Sequence, residues 1–218
     1  MLKWLAVFVL IVTISQAQET FVMEQSVLQK MQVKYGERAK KRVIALLKMM
    51  NSLVGKSESV KLKTVNTFFN RIFYETDIKN WKVRDYWATR MEFLGKAKGD
   101  CEDYAIAKYF TLKQLGIPEK KLYITYVKLL RLKQAHMVLT YFKEPKGIPY
   151  VLDNYNFKIL SATKRKDLKP VYSFNGSSLY LAKQKGLGKA LPQSKQHVRW
   201  SQLLKDVKRN KLWDFLIN

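Results

Sequence analysis

The chain has 218 residues, 47% of them hydrophobic, with one cysteine, two histidines and a formal net charge of +24. That length and apolar content can bury one substantial core, which excludes a disordered chain, and a single cysteine excludes an internal disulfide framework. The charge fits an acidic partner or a solvated basic face, but there is no zinc-finger spacing and no RNA-binding aromatic signature, so nucleic acid is not expected.

The amino terminus reads as a signal peptide over residues 1–17. Lys3 supplies a positive flank, Trp4 to Ile14 is a short uncharged apolar run, and Ser15-Gln16-Ala17 offers small residues for cleavage. The run is too short for a comfortable permanent span. Export with cleavage after Ala17 is expected, an uncleaved anchor being the alternative. Residues 18–196 then form one domain, and 197–218 a basic amphipathic tail. In an oxidising compartment an unpaired thiol is buried or has chemical work to do.

Phe21 to Lys34 is weakly helical and Gly36 interrupts it. Val43, Ile44, Leu47 and Met50 stand at helical spacing within Glu37 to Asn51. Ser57 can cap a further helix, with Leu62, Val65, Phe68, Phe69 and Ile72 as its apolar stripe, ending near Tyr74. Such stripes read as core rather than binding site. Glu75 to Lys98 is a connector rich in aromatics and charge, and its length points to an ordered or functional segment.

Gly99-Asp100-Cys101-Glu102-Asp103 opens the next helix. Gly99 breaks the preceding segment, Asp100 can cap, and Asp103 stands at capping-box spacing. Cys101 is then the first helical residue, where unpaired N–H groups and the helix dipole favour a thiolate. A lone cysteine is by default a small buried hydrophobe, so the rest of the chain has to supply the case for chemistry. Ala105, Ile106, Tyr109, Phe110 and Leu112 provide burial, and Gly116 with Pro118 ends the helix.

The chain then changes to β-type runs at Leu122 to Val127, Ala135 to Phe142 and Tyr150 to Leu152. Helices first and strands later imply an α+β fold. If Lys143 to Lys146 is a four-residue hairpin loop, Phe142 pairs with Gly147 and His136 lies opposite Asp153, with Cβ atoms about 5 Å apart. A nucleophilic Cys101, a proton carrier His136 and a carboxylate Asp153 are the parts of a thiol hydrolase or acyltransferase. Each alone has an ordinary reading as a core or turn residue. The other histidine, His197, lies in the basic tail without an obvious acidic partner.

The run from Gly99 to Tyr109, His136-Met137-Val138-Leu139 and Val151-Leu152-Asp153-Asn154 resembles the bacterial transglutaminase-like cysteine peptidases, closest to the LapG-type periplasmic proteases. Asp85 to Thr89 and Asp167 to Asn175 extend the likeness, which covers roughly residues 62 to 175. The resemblance implies a papain-like or transglutaminase-like fold, with the nucleophile at a helix N-terminus packed on an antiparallel sheet. It implies the triad Cys101, His136 and Asp153, and location in the periplasm of a Gram-negative bacterium. The implied activity is cleavage of the amino-terminal region of a large surface adhesin, which disperses a biofilm. An inner-membrane cyclic di-GMP receptor is the implied controlling partner.

The resemblance also implies calcium near the nucleophile, with Asp100 and Glu102 as ligands. Carboxylates beside Cys101 raise the thiol pKa unless a cation offsets them, and calcium takes carboxylate and carbonyl oxygens. The pattern departs at Arg90, where the family leads one to expect proline. The backbone N–H of Cys101 is the first oxyanion donor, and the Trp81 to Trp87 region is nominated for the second.

Ser177 to Tyr180 can form a last strand. Val198 to Leu216 reads as a helix with Trp200, Leu203, Leu204, Val207 and Trp213 on one side and Lys205, Lys208 and Arg209 on the other. Packing on the domain is expected, with docking to an anionic membrane surface as the alternative. Beside the endopeptidase, two other readings stand: transfer of an acyl group to an amine, and a non-catalytic basic binding module.

Overall fold

The computed structural model describes residues 21–183, 185–192, 198–209 and 216–217. The signal-peptide segment and Trp213 lie outside the described residues. Among these residues no helix is long and apolar enough to cross a membrane.

The first half is helical: α1 (Gln25–Tyr35), α2 (Glu37–Ser52) and α3 (Glu58–Phe69) precede the short α4 (Asp77–Trp81) and α5 (Arg90–Lys96), then α6 (Cys101–Gln114). Two-residue strands β1 (Phe21–Val22), β2 (Phe73–Tyr74) and β3 (Lys98–Gly99) lie between or beside them. The second half is a seven-stranded antiparallel sheet in the order β10-β9-β8-β4-β5-β6-β7. Its members are β4 (Leu122–Leu129), β5 (Gln134–Tyr141), β6 (Tyr150–Leu152), β7 (Leu160–Ser161), β8 (Leu168–Phe174), β9 (Leu179–Lys183) and β10 (Gly186–Ala190). Helix α7 (Val198–Arg209) follows, and β11 (Leu216–Ile217) pairs with β1. The fold is the expected α+β arrangement of helices against an antiparallel sheet.

Most elements follow the apolar spacing, with corrections where packing or turn chemistry decides. On α2 the buried face is Ala39, Val43, Leu46 and Met50, so the core stripe runs through Leu46 rather than Leu47. Ser57 precedes α3 without a side-chain capping bond, and α3 ends at Phe69 because Phe73 and Tyr74 leave the helix to pair in parallel with Lys98 and Gly99. Phe21 and Val22 belong to β1, not to the first helix. The connector after Glu75 holds α4 and α5. Thr89 caps α5 by a reciprocal bond with Glu92: Thr89 Oγ1 accepts the Glu92 N–H at 3.3 Å, and Glu92 Oε2 accepts the Thr89 N–H at 2.9 Å.

Arg90 is the first residue of α5, the position where proline is tolerated because its missing N–H has no helical partner anyway. Here its buried guanidinium donates to Thr111 Oγ1 on α6 at 3.1 Å, so Arg90 ties two helices together within the core.

Helix α6 is the centre of the layer. Residues from Glu102 to Tyr109 are all buried, and it packs on β5, β4, α3 and α5. At its end the Gly116 N–H bonds to the Lys113 carbonyl and the Ile117 N–H to the Leu112 carbonyl, with Gly116 at φ +85°. From the far side, Trp200 of α7 is fully buried against Tyr109, Phe110 and Phe174 at ring separations of 5.5, 5.9 and 5.3 Å. Its Nε1 donates to the Asn175 carbonyl at 3.0 Å. Replacing Trp200 with alanine should cost about 3–5 kcal/mol of unfolding free energy, read from urea denaturation, whereas Arg199→Ala at the exposed neighbouring position should cost less than about 1 kcal/mol.

Candidate active site

Gly99 and Asp100 set the entry to α6. A Cβ on Gly99 would collide with the Asp103 carboxylate and come within 2.7 Å of the Phe93 ring, so only glycine admits the chain at this point. Asp103 is fully buried; its Oδ1 accepts the Ala88 N–H at 2.9 Å and its Oδ2 the Asp100 N–H at 3.4 Å. The expected cap is thereby also a clamp between α6 and the segment before α5.

Cys101 is the first residue of α6 and is half-buried. Its thiol donates to Glu102 Oε2 at 3.1 Å. The backbone N–H of Met137, the residue after His136, is directed at its sulfur, which sets the sulfur against β5. Burial, then the charges of Glu102 and Asp100, push the thiol well above its ordinary range. A helix N-terminus contributes at most about 2 kcal/mol toward the thiolate, and here the acids and desolvation outweigh it.

His136 and Asp153 meet, though not in the expected register. Strand β5 pairs Tyr141 with Tyr150 and Leu139 with Leu152, two residues away from the pairing the hairpin loop predicted. The turn between the strands is longer than four residues, so His136 lies diagonal to Asp153 rather than opposite it. A shift of two keeps every side chain on its face, whereas a shift of one would have separated them. His136 Nε2 lies 2.7 Å from Asp153 Oδ1. With the carboxylate ionised, Nε2 carries the proton and Nδ1 keeps its lone pair. The Tyr155 ring packs edge-on to the imidazole at 6.5 Å.

Asp153 is almost completely buried and each oxygen has a partner. Oδ1 also accepts the Tyr155 N–H at 2.9 Å, and Oδ2 accepts Arg165 Nη2 at 2.7 Å. Asn70, just after α3, donates to the Asp153 backbone carbonyl at 2.8 Å. Burial pushes this carboxyl up, but the hydrogen bond and charge of His136, the Tyr155 N–H and Arg165 outweigh it and hold the pKa at about 2.

A third carboxylate joins the two nominated for a cation. Asp77, Asp100 and Glu102 each offer an oxygen, all within 4.8 Å of one another. Asp77 heads α4 and its Oδ2 accepts the Tyr86 N–H at 2.6 Å. Buried Oδ1 atoms of Asp77 and Asp100 have no hydrogen-bond partner among the described residues. Burial, then the charge of Glu102, raises Asp100 to about 10, and burial with the same neighbour raises Asp77 to about 6. An all-oxygen, partly orphaned set of this kind fits calcium better than zinc or copper. Nothing in the sequence marked Asp77, which after Thr76 reads as an ordinary first-turn acid. Arg165 was equally hidden in a basic stretch. In the segment nominated for the second oxyanion donor, Trp87 Nε1 donates to Asp85 at 2.9 Å, and the buried Trp81 Nε1 has no partner among the described residues.

The Asp153 pKa gives a sign for acid stability. It is depressed in the folded chain, so its contribution is present above the unfolded carboxylate range and fades as pH falls from about 5 toward 2. The wild type should lose about 2 kcal/mol in that window that Asp153→Asn does not lose, measured by urea unfolding at each pH.

Residues 31–168, well over half of the chain, match the sequence model of the family described as bacterial transglutaminase-like cysteine proteinase BTLCP. No curated protein sequence matches. The structure is similar to that of Legionella pneumophila LapG, with 41% identity, a TM-score of 0.72, and coverage of 86% of this chain and 98% of that one. The EGTA-treated form of LapG gives the same values. Its calcium-bound form is 42% identical with a TM-score of 0.72, over 84% of this chain and 98% of that one. The chain belongs to the bacterial transglutaminase-like cysteine proteinases.

Proposed function

We propose that the chain is an endopeptidase in which Cys101 is the nucleophile, His136 the proton carrier and Asp153 the anchor of the imidazole. The observation that carries this reading is the buried 2.7 Å bond between His136 and Asp153, on the strand whose Met137 N–H is directed at the Cys101 sulfur. His136 Nδ1 takes the thiol proton as the sulfur attacks the peptide carbonyl, and the backbone N–H of Cys101 faces the developing oxyanion. Nδ1–H then protonates the leaving amine, which departs and leaves a thioester. Water attacks the thioester, its proton passes to His136, and the acid product leaves with the thiol restored.

Asp77, Asp100 and Glu102 would hold calcium. Bound there, the ion supplies positive charge that offsets the acids opposing the thiolate. LapG is known in a calcium-bound and an EGTA-treated form, which supports a calcium site here. By likeness to the LapG-type proteases, the setting is the periplasm, the substrate the amino-terminal region of a large surface adhesin, and the outcome release of adhesin and dispersal of a biofilm. Control falls to an inner-membrane cyclic di-GMP receptor. The basic surface suits an acidic substrate segment or an anionic membrane face.

Iodoacetamide labelling of Cys101 tests the site directly. In calcium it should be fast, slowed about 100-fold or more by His136→Ala, and slowed again by EGTA in the wild type. Asp77→Asn should label slowly at calcium concentrations that saturate the wild type. Equally slow labelling in every case would leave the binding-module reading. With an adhesin amino-terminal fragment as substrate and a primary amine added, a free carboxyl product supports hydrolysis, and an amide product would make the chain an acyltransferase.

A further inference from the structure

Asp153 is commonly the last member counted in a site of this kind, but here the polar network continues behind it. Arg165 follows a single 3-10 turn, Ala162–Lys164, and is 1% exposed. Its Nη2 donates to Asp153 Oδ2 at 2.7 Å and to Asp167 Oδ2 at 2.8 Å, and its Nε donates to Asp167 Oδ1 at 2.9 Å. The backbone around it is fixed by three bonds: Arg165 N–H to the Ala162 carbonyl, Leu168 N–H to the Arg165 carbonyl, and Leu130 N–H to the Asp167 carbonyl at 3.1, 3.1 and 2.8 Å. A guanidinium gripped in this way presents its fork to Asp153 in one orientation.

We propose that Arg165 and Asp167 are positioning residues for His136, an ion pair that locks the Asp153 carboxylate and sets the net charge the imidazole faces. This rests on the peptidase reading for its purpose, but not for its geometry. Arg165 partly neutralises Asp153, and Asp167 partly neutralises Arg165. His136 therefore faces one net negative charge spread over three groups. Losing Arg165 strengthens the negative charge on the imidazole, whereas losing the charge of Asp167 weakens it. A purely structural pair would produce no such opposition.

The charged groups facing Asp153 are His136 from β5, Arg165 and through it Asp167 from the segment before β8, and Lys108 from α6. Lys108 is 1% exposed; burial pulls its pKa down to about 7, against the upward pull of Asp153. It titrates in the same range as an imidazole, so the comparison is repeated with Lys108→Met.

The test is the NMR titration of the His136 imidazole in the full chain, at fixed excess calcium, with His197→Gln removing the other histidine signal. Cys101→Ala keeps the thiol out of the curve. Arg165→Gln should move the His136 midpoint up, and Asp167→Asn should move it down, each by on the order of half a pH unit. Arg165→Lys should stay near the wild type. Shifts in the same direction, or none, would overturn the proposal. Should Arg165→Gln fail to fold, Asp167→Asn decides alone, since the Asp167 side chain is 37% exposed: a fall supports the pair and an unmoved midpoint refutes it. If Cys101 proves inert to iodoacetamide, the peptidase reading fails, while these titrations still decide the ion pair.

Discussion

A carboxylate taken out of water must be answered group by group, and Asp153 is the point where this fold meets that demand. Losing one partner of a buried ion pair typically costs about 3–5 kcal/mol, so each contact around it constrains the elements that supply the partners. His136 comes from β5, Tyr155 from the turn after β6, Arg165 from the segment before β8, and Asn70 from the end of α3. One residue thus fixes where four parts of the chain lie relative to one another, three through its carboxylate and Asn70 through its backbone carbonyl. The same bonds that make its burial tolerable also orient the imidazole, so stability and site geometry share a cause.

The sulfur poses the opposite problem. The start of α6 favours a thiolate, yet the chain sets Asp100 and Glu102 on either side of Cys101 and brings Asp77 to them from α4. In the chain by itself the acids win and the thiol is the favoured form. Calcium held by these acids would shift that balance toward the thiolate. On the proposed reading the nucleophile is conditional on the ion, and the Oδ1 atoms of Asp77 and Asp100, which have no hydrogen-bond partner among the described residues, are where it would bind.

Much of this was legible in the residues. Gly99, the acids after it and the single cysteine located the start of α6 and put Cys101 at its first position, because capping chemistry is local and acts within four positions. His136 and Asp153 were paired by face, since strand alternation survives an even slip, while the register itself was not legible: the hairpin loop is set by how its residues pack, not by the count between two β-rich runs. Asp77 and Arg165 were hidden for a different reason. Each acts through a contact made only in three dimensions, and locally one resembles a first-turn acid and the other a solvated cation. Arg90 was visible as an oddity, and its burial and its bond to Thr111 place it in the core.

Trp200 brings out a matter of timing. The helix that carries Cys101 is closed on its far side by a ring nearly a hundred positions further along the chain, lodged against Tyr109, Phe110 and Phe174. Contacts between such distant segments form late, because their loop-closure entropy is met only once nearer pairings exist. A partly synthesised chain would lack this support under α6. Full assembly of the platform that carries Cys101 thus waits for the segment around Trp200, which is made almost a hundred residues later.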